Sequence, residues 1–426
     1  MIGFCTMFCI GLIFKMKIII ENRYLNLPLI FLVILVMPIY GCKVAAPNKE
    51  DVIEISHKKV KVNPSLSSSD HQASKSQRMV IGTQQGGSRQ GVQLNLKNIV
   101  TTIAGKAGFA GSVDGYGSRA LFDSPKGITT DGTSLFVTDL NNHTIRKIDI
   151  ASGVVTTFAG MAGKKGSTDG KGAVARFNRP YGITTDGESL YVTDSNNHSI
   201  RQIDIESSVV TTIAGVVGEV GYVDGVGKHA RFFIPEGITT DGENLYVSDT
   251  HNHSIRKIEL DSGVVTTFAG LSGAPGFLDS TGTKARFSYP KGITTDGRNL
   301  YLVDFGNHRV RKITLNGGVV TTLAGGETEE AGSLSTSQGE LASFNYPTGI
   351  TTDGRNLYIV DTFNRTIRKT SVAGSVVSTI AGKTELEGSA DGIGAEARFK
   401  DPVGITSDGS SLYVTDSANQ TVRKIR

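Results

Sequence analysis

Short apolar-polar runs recur along residues 98–426 at a fixed distance. One phrase, GITTDGESLYVTDSNNHSIRQIDI, occupies residues 182–205, and five near-copies accompany it. The copies open at Gly127, Gly182, Gly237, Gly292, Gly349 and Gly404, a period of 55 residues with one interval of 57. A period of this size marks a repeat architecture, in which neighbouring units share a continuous core. Each unit holds four runs rich in β-branched and aromatic residues. In the first unit they are GITT, SLFVTD, TIRKIDI and VVTTFAG, separated by Asp-Gly or Asn-containing turns. That composition, bounded by turn residues, predicts β-strands. No stretch sustains a 3.6-residue period, so helices are expected to be minor. Four antiparallel strands per unit, six times over, predict an all-β, six-bladed β-propeller.

The order of the runs bears on closure. The sixth unit reaches Arg426 directly after its third run, TVRKIR, and the fourth run, IVTTIAG, stands at 99–105 ahead of the first unit. An N-terminal strand completing the last blade would close the ring and remove the unpaired edges of an open one. A solenoid would instead require capping repeats.

The segment LYVTDSNNHSIRQI resembles the NHL repeat, including its Asn-His pair. The intervening AG..G..DG.G..ARF..P.GI is similar to the longer repeats of bacterial and teneurin-type NHL proteins. The likeness covers residues 98–426 and implies a six-bladed propeller, a fold used mainly for binding and sometimes for catalysis. Arg365 and Gln420 depart from it at the His position. A fold does not by itself transmit function.

Several motifs invite a chemical reading. GYGSRA at 115–120 fits the dinucleotide pattern G-x-G-x-x-A. That pattern needs a preceding strand and a following helix. Neither is expected, so the glycines are assigned to a tight loop. Asp114, Asp169, Asp224, Asp279 and Asp391 recur once per loop. Calcium needs six to eight oxygens, so turn stabilisation is the favoured role. His143, His198, His253 and His308 hold one position in four neighbouring units. Zinc ligands must nearly touch, and equivalent positions around a ring lie too far apart, so the D..NH segment is read as structural. Asp131 and its equivalents precede Gly in the turn after the innermost strand. They could ring a channel mouth with charge, but Asp-Gly is simply a good turn, and the turn is favoured. No cofactor and no metal are expected.

Composition narrows the setting. The net charge of +4 is mild for 426 residues, and no basic block carries interleaved aromatics, which argues against nucleic acid. All three cysteines, Cys5, Cys9 and Cys42, precede the repeats. The repeats therefore hold no disulfide and no cysteine nucleophile. Residues 1–42 read as an export signal: a charged start from Met16, the apolar run LPLIFLVILVMPIY, then Gly41-Cys42. Ile39-Tyr40-Gly41-Cys42 resembles the bacterial lipobox. The resemblance implies lipidation at Cys42, a place in the cell envelope and, with Lys43 following, the outer membrane. Residues 43–97 are polar, with runs such as SLSSSDHQASKSQ. They read as a flexible tether spanning about 40 Å root-mean-square. The domain division expected is thus 1–42, 43–97 and 98–426.

Function should lie where equivalent positions differ. The loop entering each innermost strand is long, 19 residues between Gly105 and Pro125 in the first unit, and long loops in compact domains are usually functional. It ends in P.GI, whose middle residue varies: Lys126, Tyr181, Glu236, Lys291, Thr348 and Val403. These six should surround the channel mouth. Arg179, Tyr289 and Tyr346, each just before a proline, vary beside them. Two function classes follow. One is a non-catalytic binding or scaffolding module, monomeric, whose protein or small-ligand partner docks on this entrance face. The other is a metal-dependent hydrolase or lyase, similar to lactonase, strictosidine-synthase-like or amidating-lyase propellers. The innermost strands read GITT five times and GITS once, with no singular His or Glu. That uniformity favours binding.

Overall fold

The computed structural model describes residues 93–426, apart from 327–330, 334–341 and 375. The expected signal with Cys42, and nearly all of the tether, lie outside the described residues. Six antiparallel sheets form the described domain, four of five strands and two of four. Blade 1 shows the plan. Pro125–Thr130 is innermost, followed outward by Ser134–Asp139, Thr144–Asp149 and Val154–Gly160, with the short Gly115–Tyr116 outermost. The chain is an all-β six-bladed propeller, and its only helical elements among the described residues are short 3-10 turns.

Ring closure follows the sequence expectation. Ile99–Gly105 pairs antiparallel with Thr421–Ile425, Val100 opposite Ile425 and Gly105 opposite Thr421. The Thr102 amide and hydroxyl both donate to Asp391, at 3.0 and 2.9 Å. The chain reaches this strand across the face of the Asp-Gly turns, where Leu94 is buried and its amide donates to Asp353.

The hydrophobic core lies between blades. Six clusters each join side chains of two neighbouring sheets; one combines Phe136 and Ile145 of blade 1 with Phe177, Ile183 and Val192 of blade 2. Another joins Tyr413 and Val422 of blade 6 to Leu135 and Val137 of blade 1. Because both faces of every sheet are covered, the usual alternation of buried and exposed residues is lost in the middle strands. Ser134–Asp139 is buried throughout. Each fully buried Phe or Leu contributes about 1.5–3 kcal/mol.

A polar clamp, missed in the sequence, ties each blade together. The third strand carries an arginine, Arg146, Arg201, Arg256, Arg311, Arg368 or Arg423, fully buried in every blade. Arg146 donates to Asp139 at 2.8 Å and to Asp114 at 2.7 Å, and to the carbonyls of Leu121 and Val113. Its guanidinium lies 5.0 Å from the Phe122 ring centroid. Asp139 also receives Asn142 Nδ2 at 2.8 Å, while Asp114 receives the Thr157 amide and hydroxyl. The loop aspartates therefore do more than shape a turn: they bind the long loop to the third and fourth strands. The Asp-Gly aspartates do serve their turns. Asp131 Oδ1 accepts the amides of Thr133 and Ser134.

Candidate functional site at the channel mouth

Each innermost strand begins at Pro-X-Gly, and the six X residues follow one another around the axis. The X carbonyl of each blade presses on the glycine of the blade before it. A Cβ on Gly127 would sit 2.3 Å from Tyr181 O, on Gly182 2.0 Å from Glu236 O, and on Gly404 2.2 Å from Lys126 O, which completes the circle. Only glycine permits this approach. Neighbouring hydroxyls fix the carbonyls: Thr138 donates to Tyr181 O at 2.6 Å, Thr193 to Glu236 O at 2.9 Å and Thr415 to Lys126 O at 2.6 Å. The invariant parts of the phrase thus hold the ring, and the X side chain is left free to differ.

Those side chains are recessed. Glu236, Thr348 and Val403 are buried, and Lys126, Tyr181 and Lys291 are half-buried. Lys291 Nζ lies 3.0 Å from Glu236 Oε2, 4.2 Å from the Phe305 ring centroid and 5.6 Å from that of Tyr181. Lys126 pairs with Asp401 at 3.4 Å. Burial lowers the pKa of Lys126, opposed by Asp401 and reinforced by Lys291. Burial, followed by the charges of Glu236 and Asp401, pushes the Tyr181 hydroxyl well above its ordinary range. The mouth therefore offers two cations and two anions, each compensated, around one neutral phenol.

The residues before the prolines form the rim. Ser124, Arg179, Ile234, Tyr289 and Tyr346 adopt left-handed backbone, φ 48–60°, a conformation that costs a non-glycine residue about 1 kcal/mol or more. Each is held by the preceding blade. The amides of Arg179, Ile234, Tyr289 and Tyr346 donate to Nδ1 of His143, His198, His253 and His308 at 3.0–3.1 Å. The Ser124 amide donates to Gln420 Oε1 at 2.6 Å. Where Arg365 takes the place of histidine, the rim residue of the next blade, Asp401, stays out of the left-handed region, and its amide turns to Asp416 of its own blade. The Asn-His pair is thus structural, as expected, and the histidine is specifically a clasp between blades. Burial lowers the pKa of all four histidines, which keeps Nδ1 free to accept.

Tyr289 and Tyr346 each anchor an aromatic trio that sequence reasoning did not find. Phe233 lies 5.0 Å from His251, and His251 5.4 Å from Tyr289. Phe305 lies 4.8 Å from Tyr346, and Tyr346 5.0 Å from Phe363. Both tyrosine rings also stand edge-on to their clasp histidines, 4.5 Å from His253 and 4.3 Å from His308. The trios come from two different loops of blades 3 to 5. At the equivalent positions blades 1, 2 and 6 carry no aromatic residue; most are polar, Asp123, Asn141, Asn178, Arg179, Asn196 and Lys400 among them, with Leu140 and Ala418 the apolar exceptions. The rim is therefore aromatic on one half and polar on the other, and exposed Arg179 belongs to the polar half.

The tyrosine hydroxyls fall into two sets. The strand tyrosines Tyr191, Tyr246, Tyr301, Tyr358 and Tyr413 each donate to a turn aspartate at 2.8–3.1 Å. Tyr181, Tyr289 and Tyr346 on the entrance face have no hydroxyl partner among the described residues, and the His251 ring nitrogens have none either. These polar tips are free to meet something outside the fold.

No protein-family model matches the chain. Curated proteins do. The chain is 28% identical to NHL repeat-containing protein 2 of Gallus gallus over 326 residues, 68% of this chain and 44% of that protein. It is 27% identical to Protein SUPPRESSOR OF QUENCHING 1, chloroplastic, of Arabidopsis thaliana, over 72% of this chain and 30% of that one. Its relatives include NHL repeat-containing proteins. The matched region spans less than half the length of either of these two curated relatives. Among solved structures, a protein of unknown function from Bacteroides thetaiotaomicron superposes with a TM-score of 0.59 at 24% identity, covering 77% of this chain and 75% of that one. An auxiliary nutrient binding protein from the same organism gives 0.57 at 18%, covering 77% and 76%. These structures share the propeller fold.

Proposed function

We propose that the NHL-type propeller is a non-catalytic binding module whose ligand seats on the channel-entrance face, over Lys126, Tyr181, Glu236 and Lys291, with Arg179, Tyr289 and Tyr346 at the rim. The observation that carries this reading is the contrast between scaffold and surface. The clamp and glycine contacts repeat around the ring, and the clasp at five of its six positions, while the side chains they present vary, with lysine twice among the X residues and tyrosine twice on the rim. Three tyrosine hydroxyls there are left without a partner, whereas the five strand tyrosines are all bonded. Aromatic residues dominate binding hot spots. Glu236 and Asp401, the acidic groups of the mouth, are each tied to a lysine, which supports binding over general-base chemistry. Propellers of the same fold include an auxiliary nutrient binding protein, a role compatible with this one.

In this proposal the protein is a lipid-anchored envelope protein, with Cys42 lipidated and residues 43–97 as a tether to the outer membrane. The chain enters the ring on the Asp-Gly face, where Leu94 is bound to Asp353. Capture from envelope extract on immobilised protein tests the reading. Tyr181→Ala with Lys126→Glu should abolish capture that Asp131→Asn and Asp186→Asn, on the opposite face, leave intact. The reverse pattern would reject it.

A further inference from the structure

The entrance face also indicates which chemistry it recognises. Resting on the reading above, we propose that it binds a neutral oligosaccharide, with sugar rings stacked on the Tyr289 and Tyr346 trios and hydroxyls reaching Tyr181, Glu236 and Lys291 in the mouth.

Three features lead there. First, the two trios are clusters of aromatic rings inclined at 46–82° to one another, with Tyr289 and Phe363 exposed, and they lie in a rim whose other half is mostly polar. An aromatic ring is electron-rich on its face, and the ligand group that complements it is a flat array of weakly positive C–H bonds. A pyranose offers such an array on one side and hydroxyls around its edge. A purely apolar ligand would leave the mouth unsatisfied, and a purely polar one would leave the trios wet.

Second, the charges of the mouth are already balanced. Lys291 is 3.0 Å from Glu236 and Lys126 is 3.4 Å from Asp401. An ionic ligand would have to displace one partner and strand the other in a recessed site, which is costly. A hydroxyl displaces nothing. It donates to the carboxylate and accepts from the ammonium, and hydrogen bonds to charged groups are the stronger kind. The unpartnered Tyr181 hydroxyl and the His251 ring extend this row. Tyr181 can donate and accept, and a neutral imidazole presents one donor and one acceptor. A chain of alternating donors and acceptors matches vicinal hydroxyls.

Third, the tyrosine rings of the trios are fixed before anything binds. Tyr289 and Tyr346 are held by the backbone bond to His253 or His308 and by edge contact of the ring with the same histidine. Little side-chain freedom is left to lose on binding. That favours a ligand whose contacts are individually weak. Tyr289 and Phe363, one in each trio, are both exposed, so an oligomer that reaches the two trios fits better than a single sugar.

Isothermal titration of the purified full-length protein with maltohexaose, cellohexaose, xylohexaose and mannohexaose, one at a time, tests the assignment. At least one should bind with a Kd below about 1 mM. Tyr289→Ala and Tyr346→Ala should each weaken it by about tenfold or more, while Tyr289→Phe and Tyr346→Phe, which keep the ring, stay within about threefold. Asn141→Ala and Asn196→Ala on the polar half should leave it unchanged, and thermal melting by circular dichroism should show every variant folded. Failure of all four sugars to bind overturns the proposal. So does a folded Tyr→Ala variant that binds normally, a Phe variant as weak as the Ala variant, or capture of a peptide in place of any sugar. If the sugars fail while Tyr181→Ala with Lys126→Glu still abolishes capture from extract, the entrance-face reading stands and only the ligand class falls.

Discussion

Replacing Arg256 with methionine is the sharpest test of what holds the blades. Arg256 is fully buried. It donates to Asp249 at 2.9 Å and Asp224 at 2.7 Å, and to the carbonyls of Arg231 and Val223 at 2.8 and 3.0 Å. Methionine keeps most of the stem but leaves Asp249, also fully buried, with only the Asn252 side chain and the Phe233 amide. Stranding one member of a buried ion pair costs about 3–5 kcal/mol. Asp224 is about half exposed, so its loss adds little. Urea unfolding of Arg256→Met should therefore show a fall of about 4 kcal/mol. Adding Asp249→Asn removes the stranded charge and should return at least about 1 kcal/mol. The exposed pair Lys257–Glu259, at 3.2 Å, supplies the control, and Lys257→Met should cost less than about 1 kcal/mol. The deficit of Arg256→Met should also depend on pH. Burial raises the Asp249 pKa to about 6 even with Arg256 opposing it, and without the arginine it goes higher. The folded state then binds the proton more tightly than the unfolded one, so stability is lost as pH rises and recovered toward pH 5. A deficit no larger than that of Lys257→Met, or a double variant no better than the single one, would refute the clamp.

Further expectations follow from the same geometry. A chain starting at Lys106 lacks the strand that pairs with Thr421–Ile425 and should melt well below the full chain; equal melting temperatures would show that this strand does not close the ring. Burial lowers the pKa of His143, His198, His253 and His308, so the unfolded chain takes up protons first and the clasp contribution, present above about pH 6.5, is lost as pH falls. Changing all four to glutamine, which already does this work at Gln420, should flatten that acid loss, and an unchanged difference between pH 7 and pH 5 melting would contradict the clasp. Mass spectrometry of the mature N-terminus should find cleavage before Cys42 and acyl chains on it; an intact segment 24–42 or a bare Cys42 would remove the anchor.

The blades were legible because the repeat is nearly literal. Six copies of four runs show the four main strands of each blade, and IVTTIAG at 99–105 reveals the closing strand by its displacement; the fifth strand of four blades, two residues such as Gly115–Tyr116, is too short to stand out as a run. The ring of X residues was legible for the opposite reason: Lys126, Tyr181, Glu236 and Lys291 differ inside a constant P.GI frame. The arginine clamp was not. In TIRK a fully buried arginine and a half-buried lysine stand side by side on a strand whose two faces are both covered, so hydrophobic alternation does not tell them apart. The pairing of Arg146 with Asp139 and Asp114 would have shown only as a joint recurrence across units. The clasp was half legible. Asn-His stood out, but its left-handed backbone and its partner in the next blade appear only when the sheets are arranged in a ring. The aromatic trios were hidden most completely. Phe233, His251, Tyr289, Phe305, Tyr346 and Phe363 are scattered over two kinds of loop and three units, and only the ring makes them neighbours.

The entrance-face account is tested most directly by hydroxyl-radical footprinting of the intact protein, in buffer and in envelope extract, read by mass spectrometry at single tyrosines. Tyr181, Tyr289 and Tyr346 report on the entrance face. Tyr116 and Tyr222, both more than 60% exposed, report on the outer loops. The account predicts protection of the first three in extract and none of the other two. Protection of Tyr116 and Tyr222 with the entrance tyrosines unchanged would contradict it.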